Sequence, residues 1–419
     1  MNTKDENLIK VTTLISRLFD HIVIGVLPQD SPYKGFLSLH ESFGLDEQGY
    51  WEWYAELFKT VLGIPGVKEK WSEDGIRKKI QELLAQLATA KIQSTPVAQF
   101  SIDFSVIAES WIAKINVEFG ENVCYVPVLG LALAEPLSMD DVTFWPLEAK
   151  KQELKDRVRP ELFDRLHPYT SCIASFAVRA EPQKSIEVLN DRVDTTLNFL
   201  RYISSLIWQD EPAIQMYVAG TDPTKIASSV VVEQNGSVSM FNNSSFNPLP
   251  FVLNPMNFQI AKSFGIEHLQ VILSKTVRSP LEDSLLTAIR WFGDACKDPS
   301  PLYSFLKYYV SLEVLLKKKT EGAMHTVPVR VSTLLEQFDL AKRKRFNASA
   351  QTVIRERNSI FHSGKPEKET IDYLVWIARR LARNTIHELR YRILSEGFQT
   401  KDDVIGWVNA HKFVKNATR

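Results

Sequence analysis

The sequence predicts an α+β protein: an N-terminal mixed α/β region followed by an all-α C-terminal helical bundle. Three observations lead there. In the middle of the chain, short runs alternate apolar and polar residues with period two, as half-buried strands do. From residue 265 to residue 419 the apolar spacing changes to three and four, with helix-start and helix-stop signals between the runs. The composition, 44% hydrophobic and 24% charged over 419 residues, is that of a globular chain long enough for two or three full cores.

Residues 1–95 form a helical segment. Ile9, Leu14, Leu18 and Ile22 keep helical spacing up to a break between Pro28 and Pro32. A second helix is expected over 46–62, with Trp51, Trp53, Tyr54 and Phe58. Such a stripe suits a recognition surface or a core, and the usual burial of large aromatics favours core. Ser72, Glu73 and Asp74 then cap a helix through Ile80, Leu83, Leu84 and Leu87.

Residues 96–255 form the mixed α/β domain, a candidate sensor or regulatory part. Strands are expected at 100–106, 113–119, 123–128, 131–134, 142–144 and 171–180, with two or three more between 216 and 241. Helices are expected at 147–166 and at 186–207, where Leu189, Val193, Leu197 and Leu200 share a face. The polar run 242–248 marks a boundary. This part carries no phosphate-binding glycine loop, no nucleophile elbow and no cluster of His, Cys and Asp.

In the bundle, Ser279, Pro280 and Glu282 make a capping box with Pro at the first helical position; Leu285, Ile289, Phe292 and Cys296 follow on one face. Ser300 and Pro301 open the next helix, through Phe305, Tyr309, Leu312 and Leu316. A loop is expected at 322–328, then helices at 331–338, 348–362, 369–394 and 404–413. Four to five antiparallel helices with short connections make a bundle.

Charge separates the halves. The net charge is zero, yet residues 271–419 carry +10 and residues 1–270 carry −10. A basic half fits a polyanionic partner, or else the halves simply attract each other. No apolar run approaches the roughly 20 residues of a membrane helix, so no membrane association is expected. Residues 1–10 are polar and charged, unlike a signal peptide. Cys124, Cys172 and Cys296 are odd in number and far apart, which predicts reduced thiols in a cytoplasmic protein, without disulfide or zinc site. No cofactor and no metal are expected.

One stretch concentrates chemistry. Arg357, Asn358 and His362 lie just before Gly364 and Pro366, which stop a helix. Asn358 and His362 are four apart and share a face. Arginine offers a planar fork for phosphate oxygens, and histidine titrates near neutral pH. A phosphate clamp beside an imidazole is what metal-free RNA cleavage requires, because RNA supplies its own 2′-hydroxyl nucleophile. The bland alternative is a helix-end histidine with a surface arginine. Arg355 and the run Lys342, Arg343, Lys344 and Arg345 are candidates to track an RNA backbone, or else a solvated face.

Arg357-Asn358 followed by three residues and His362 resembles the Arg-x4-6-His motif of the HEPN superfamily, and the run from Phe305 to Leu316 is similar to the preceding helix of its Apea-like branch. Arg330 to Leu335 resembles the next helix; the likeness spans about residues 270–400 and is looser near 126–131 and 197–202. It implies a HEPN-type bundle acting as a metal-independent endoribonuclease on RNA. It also implies a homodimer that brings two motifs to one cleft, with Glu313 as a polar helper from the earlier helix; an ordinary salt bridge is the other role for Glu313. The Apea-like branch further suggests an anti-phage or toxin-like effector, with a phage-derived or host regulator at the N-terminal half. The alternative is a non-catalytic HEPN module that binds nucleotide or RNA, or only dimerises.

Overall fold

The computed structural model describes residues 3–24, 43–45, 49–94, 102–155, 166, 170–208, 216–219, 227–232, 238–243 and 250–412. The expected break at 28–32, the second half of the helix expected at 147–166, and most of the loop at 242–248 lie outside these residues. The fold is α+β with an all-helical C-terminal region. Packing divides it into two compact units, residues 1–124 with 177–189, and residues 125–176 with 190–419.

The first unit is mainly helical. Helix α1 (Thr3–Asp20) buries Val11, Leu14, Ile15 and Leu18, and is followed by the antiparallel pair β1 (Ile22–Ile24) and β2 (Phe43–Leu45). A π-helical stretch, Gly49–Tyr54, runs into α2 (Ala55–Leu62). Its aromatics are mostly core: Tyr54 is buried, Trp53 and Phe58 pack against the same cluster, and only Trp51 is 64% exposed. After the short α3 (Val67–Lys70), α4 (Glu73–Ser94) begins where the Ser72 hydroxyl accepts the Gly75 N–H at 2.9 Å.

Helix α5 (Phe104–Ile115) corrects the strands expected at 100–106 and 113–119. Asp103 caps it, accepting from the N–H groups of Ser105 and Val106 at 2.9 and 3.4 Å. Ala108, Trp111 and Ile115, three and four apart, are buried, and the Trp111 indole donates to the Lys79 carbonyl at 3.0 Å. The period-two alternation was too short to outweigh a cap and an apolar helical face.

Among the described residues, strands β3 (Asn122–Leu129), β5 (Leu137–Met139), β6 (Val142–Pro146), β7 (Thr170–Val178) and β8 (Tyr217–Val218) form one sheet in the order β5-β6-β7-β3-β8. Strand β4 (Leu131–Leu133) pairs in parallel with β11 (Phe251–Leu253), and β9 (Ala227–Val232) with β10 (Val238–Asn243) antiparallel. Helix α6 (Leu147–Leu154) follows β6, and the long α7 (Pro182–Ile207) follows β7.

The helices of the C-terminal region are α8 (Pro255–Ser263), α9 (Ile266–Ser274), α10 (Pro280–Lys297), α11 (Pro301–Leu316), α12 (Ala323–Leu335), α13 (Leu340–Ser363), α14 (Ile371–Glu396) and α15 (Lys401–His411). Helix α10 packs on α11 and α14, and α12 on α13. The capping box forms as expected: Ser279 accepts the Glu282 N–H at 3.2 Å, and Glu282 accepts the Ser279 N–H at 2.9 Å. Gly293 allows α7 and α10 to touch, since a Cβ there would sit 2.4 Å from Asn198 Cα. The loop expected at 322–328 is instead the start of α12, with Pro328 inside it. Burial of Val327, Pro328 and Val331 outweighs the hydrogen bond that proline removes.

Candidate functional site

Helix α13 is built by local rules at both ends. Asp339 caps its start, accepting from the N–H groups of Ala341 and Lys342 at 2.9 and 3.0 Å. Gly364 ends it at φ 75°, a conformation that costs glycine little, with its N–H on the Ile360 carbonyl at 2.8 Å. His362 therefore sits exposed in the last turn.

The Arg357 side chain is half-buried between two rings. Its guanidinium carbon lies 5.0 Å from the Tyr309 ring centre and 4.3 Å from that of Phe361. One Nη donates to Asn358 Oδ1 at 3.0 Å, while the buried Nε has no partner. Among the described residues no carboxylate forms an ion pair with Arg357. The site thus holds a fixed cation with no acidic partner among the described residues, an arrangement that suits an anion.

Tyr309 joins Arg357 to Glu313. Its pKa is pushed up to about 12, first by burial and then by the nearby Glu313 charge, with Arg357 opposing. Glu313 accepts from Lys317 at 2.6 Å, a pair within α11. The salt bridge weighed for Glu313 is present, and its charge acts on Tyr309, the ring that Arg357 lies over. The Asn358 side-chain oxygen is engaged by Arg357, and His362 is exposed, with no side-chain hydrogen bond, ion pair or ring stacking among the described residues.

Glu356 is fully buried at the back of the motif. Its carboxylate accepts the N–H groups of Glu367 and Lys368 at 2.7 and 3.3 Å, and Arg355 Nε at 3.1 Å. Burial alone would raise its pKa; the two N–H groups and Arg355 overcome that and hold it below the usual carboxylate range. This fastens the loop after α13 to the helix, and with it the turn that carries His362. Arg355 takes part in that anchor through Nε, while its side chain stays 39% exposed.

The basic run divides. Lys342, Lys344 and Arg345 are exposed, and Lys342 lies 3.7 Å from Asp339. Arg343 departs from the expected role in RNA binding. It is buried and donates to the carbonyls of Glu336, His411 and Lys412 at 2.9, 3.2 and 3.0 Å, and to that of Gln337. Those carbonyls have no intrahelical donor, so the guanidinium caps the ends of α12 and α15. Tyr309, Phe361 and Glu356 escaped the sequence reading. Tyr309 and Phe361 stand four residues from Glu313 and Arg357, a helical-neighbour spacing that offered a signal.

Among the described residues no helix is long and apolar enough to cross a membrane, and no group of three His, Cys, Asp or Glu is placed to hold a metal ion. Cys172 and Cys296 are buried free thiols and Cys124 is a partly buried one. No protein-family model matches this chain, and no curated protein or solved structure compared with it matches either.

Proposed function

We propose that this chain is a metal-independent endoribonuclease of the HEPN type, working through Arg357, Asn358 and His362. The observation that carries the reading is the half-buried Arg357 guanidinium, held against two rings with no carboxylate partner among the described residues, on the same glycine-stopped helix as the exposed His362.

The chemistry follows from RNA. The 2′-oxygen attacks phosphorus, the bond to the 5′-oxygen breaks, and a 2′,3′-cyclic phosphate and a 5′-hydroxyl result. One group must take the 2′ proton and another must give one to the 5′-oxygen. His362 serves as acid or base. Arg357 holds the phosphate and offsets the charge that gathers on it. Asn358, whose Oδ1 is engaged by Arg357, has its amide N–H group to offer to a phosphate oxygen. Glu313, through Tyr309, sets the electrostatics behind the clamp. A two-fold dimer brings a second His362 to the cleft, so that acid and base stand on opposite sides of phosphorus. The resemblance to Apea-like proteins supports a regulated toxin-like or anti-phage effector, with a phage-derived or host regulator acting on the N-terminal half.

The test is incubation of purified protein with end-labelled RNA in EDTA, against His362→Ala. Cleavage with cyclic-phosphate ends, lost in the variant, is the expected result. Equal cleavage by the variant overturns it, and binding without cleavage favours the non-catalytic module.

A further inference from the structure

A second feature lies on the same bundle, at the other end of α13. Lys342 and Arg345 from α13 face Tyr373, Trp376 and Arg380 from α14 across a cleft of about 330 Å³. Three cations line it and no acid does; its floor is apolar, with Phe346, Ile377 and Leu381. The Tyr373 and Trp376 rings stack at 6.1 Å with 18° between their planes, and the Arg380 guanidinium lies 5.5 Å from the Trp376 ring centre. Trp376 is nevertheless 52% exposed and Tyr373 44%. This ladder of two half-exposed flat rings and a guanidinium is flanked by the exposed Arg345 and by Lys342, whose acidic neighbour Asp339 lies outside the cleft at 3.7 Å.

Each component has a counterpart in one kind of ligand. Flat rings take unpaired bases, and cations take the phosphates between them. A duplex hides its base faces, and an acidic protein surface would use the charges but not the rings. Arg345 and Arg357 are twelve residues apart on one helix, about 18 Å along its axis, so the cleft and the motif lie on one element.

We propose that this cleft is a base-stacking subsite for single-stranded RNA. Trp376, backed by Tyr373, takes a base; Lys342, Arg345 and Arg380 take the neighbouring phosphates. The proposal deepens the ribonuclease reading, but it is tested by binding, apart from cleavage. Fluorescein-labelled single-stranded RNA is titrated with the full chain carrying His362→Ala, in EDTA, and anisotropy is followed. Adding Trp376→Ala should weaken binding roughly 5- to 150-fold, the range for losing one stacked base. Adding Trp376→Phe should restore most of it, which separates stacking from any loss of fold. Arg345→Gln should lower the slope of log affinity against log salt by about 0.7. An RNA duplex should bind equally with and without Trp376→Ala. Unchanged single-strand affinity in Trp376→Ala overturns the subsite, as does an equal loss for duplex RNA or for polyglutamate. If the wild-type chain does not cleave RNA but binds it through Trp376, the subsite stands and the nuclease reading falls. Cleavage without Trp376-dependent binding has the opposite meaning.

Discussion

At Arg357 the charge is fixed and its surroundings are apolar. A lysine there keeps the charge but not the planar fork that lies on the rings of Tyr309 and Phe361. Arg357→Lys and Arg357→Ala are therefore both expected to lower the cleavage rate, by roughly 10²- to 10³-fold, with circular dichroism unchanged. Tyr309→Phe keeps the ring under the guanidinium and removes the hydroxyl on which the Glu313 charge acts. It should reduce cleavage much less than Arg357→Ala does. An equal loss of rate in the two would make the hydroxyl, not the ring, the part of Tyr309 that matters.

The elements around the motif are held by buried charges rather than by propensity alone. Glu356 pins the loop after α13 through the N–H groups of Glu367 and Lys368. Glu356→Gln should destabilise the fold by about 1–3 kcal/mol at neutral pH, as measured by urea denaturation. The pH dependence has a definite sign. The folded-state pKa of Glu356 lies below its ordinary value of 4.5, so its contribution is complete above that value and is lost as pH falls through the folded pKa. The variant should lose less stability than the wild type over that acid range. Arg343 plays the matching part at the other end of the helix. It joins the ends of α12 and α15, so Arg343→Ala should lower the melting temperature whether or not RNA is present.

For the whole molecule, acid stability and assembly are the measurable properties. His387 on α14 has its pKa pushed down to about 4, first by burial and then by Arg390 and Arg383. The unfolded chain takes up that proton near 6.5, and the folded chain only near 4. Stability should therefore fall as pH drops from about 6.5 to about 4, and His387→Phe should flatten that part of the profile. Assembly bears on the reaction, because one chain brings one motif histidine. Cleavage should rise faster than linearly with protein concentration near the dimer dissociation constant, and light scattering should give twice the chain mass of 47.8 kDa where activity saturates. Full activity in a preparation that scatters as one chain would refute the composite site.

Much of this protein was legible from its sequence alone. The all-helical C-terminal region, the box at Ser279 and Glu282, and the stop at Gly364 are written within a few neighbouring residues, because caps and helical faces are short-range properties. The Arg357, Asn358 and His362 spacing belongs to the same class. Tertiary structure decided the rest. Residues 100–106 alternated briefly like a strand, yet residues 104–115 form a helix that packs Ala108, Trp111 and Ile115 into a core. Arg343 read like its exposed neighbours, yet it is the one whose side chain reaches the ends of α12 and α15. Tyr309 and Arg357 meet only because α11 and α13 pack together. Local spacing cannot express such contacts, since they join residues far apart in the chain and depend on which faces the hydrophobic core brings together.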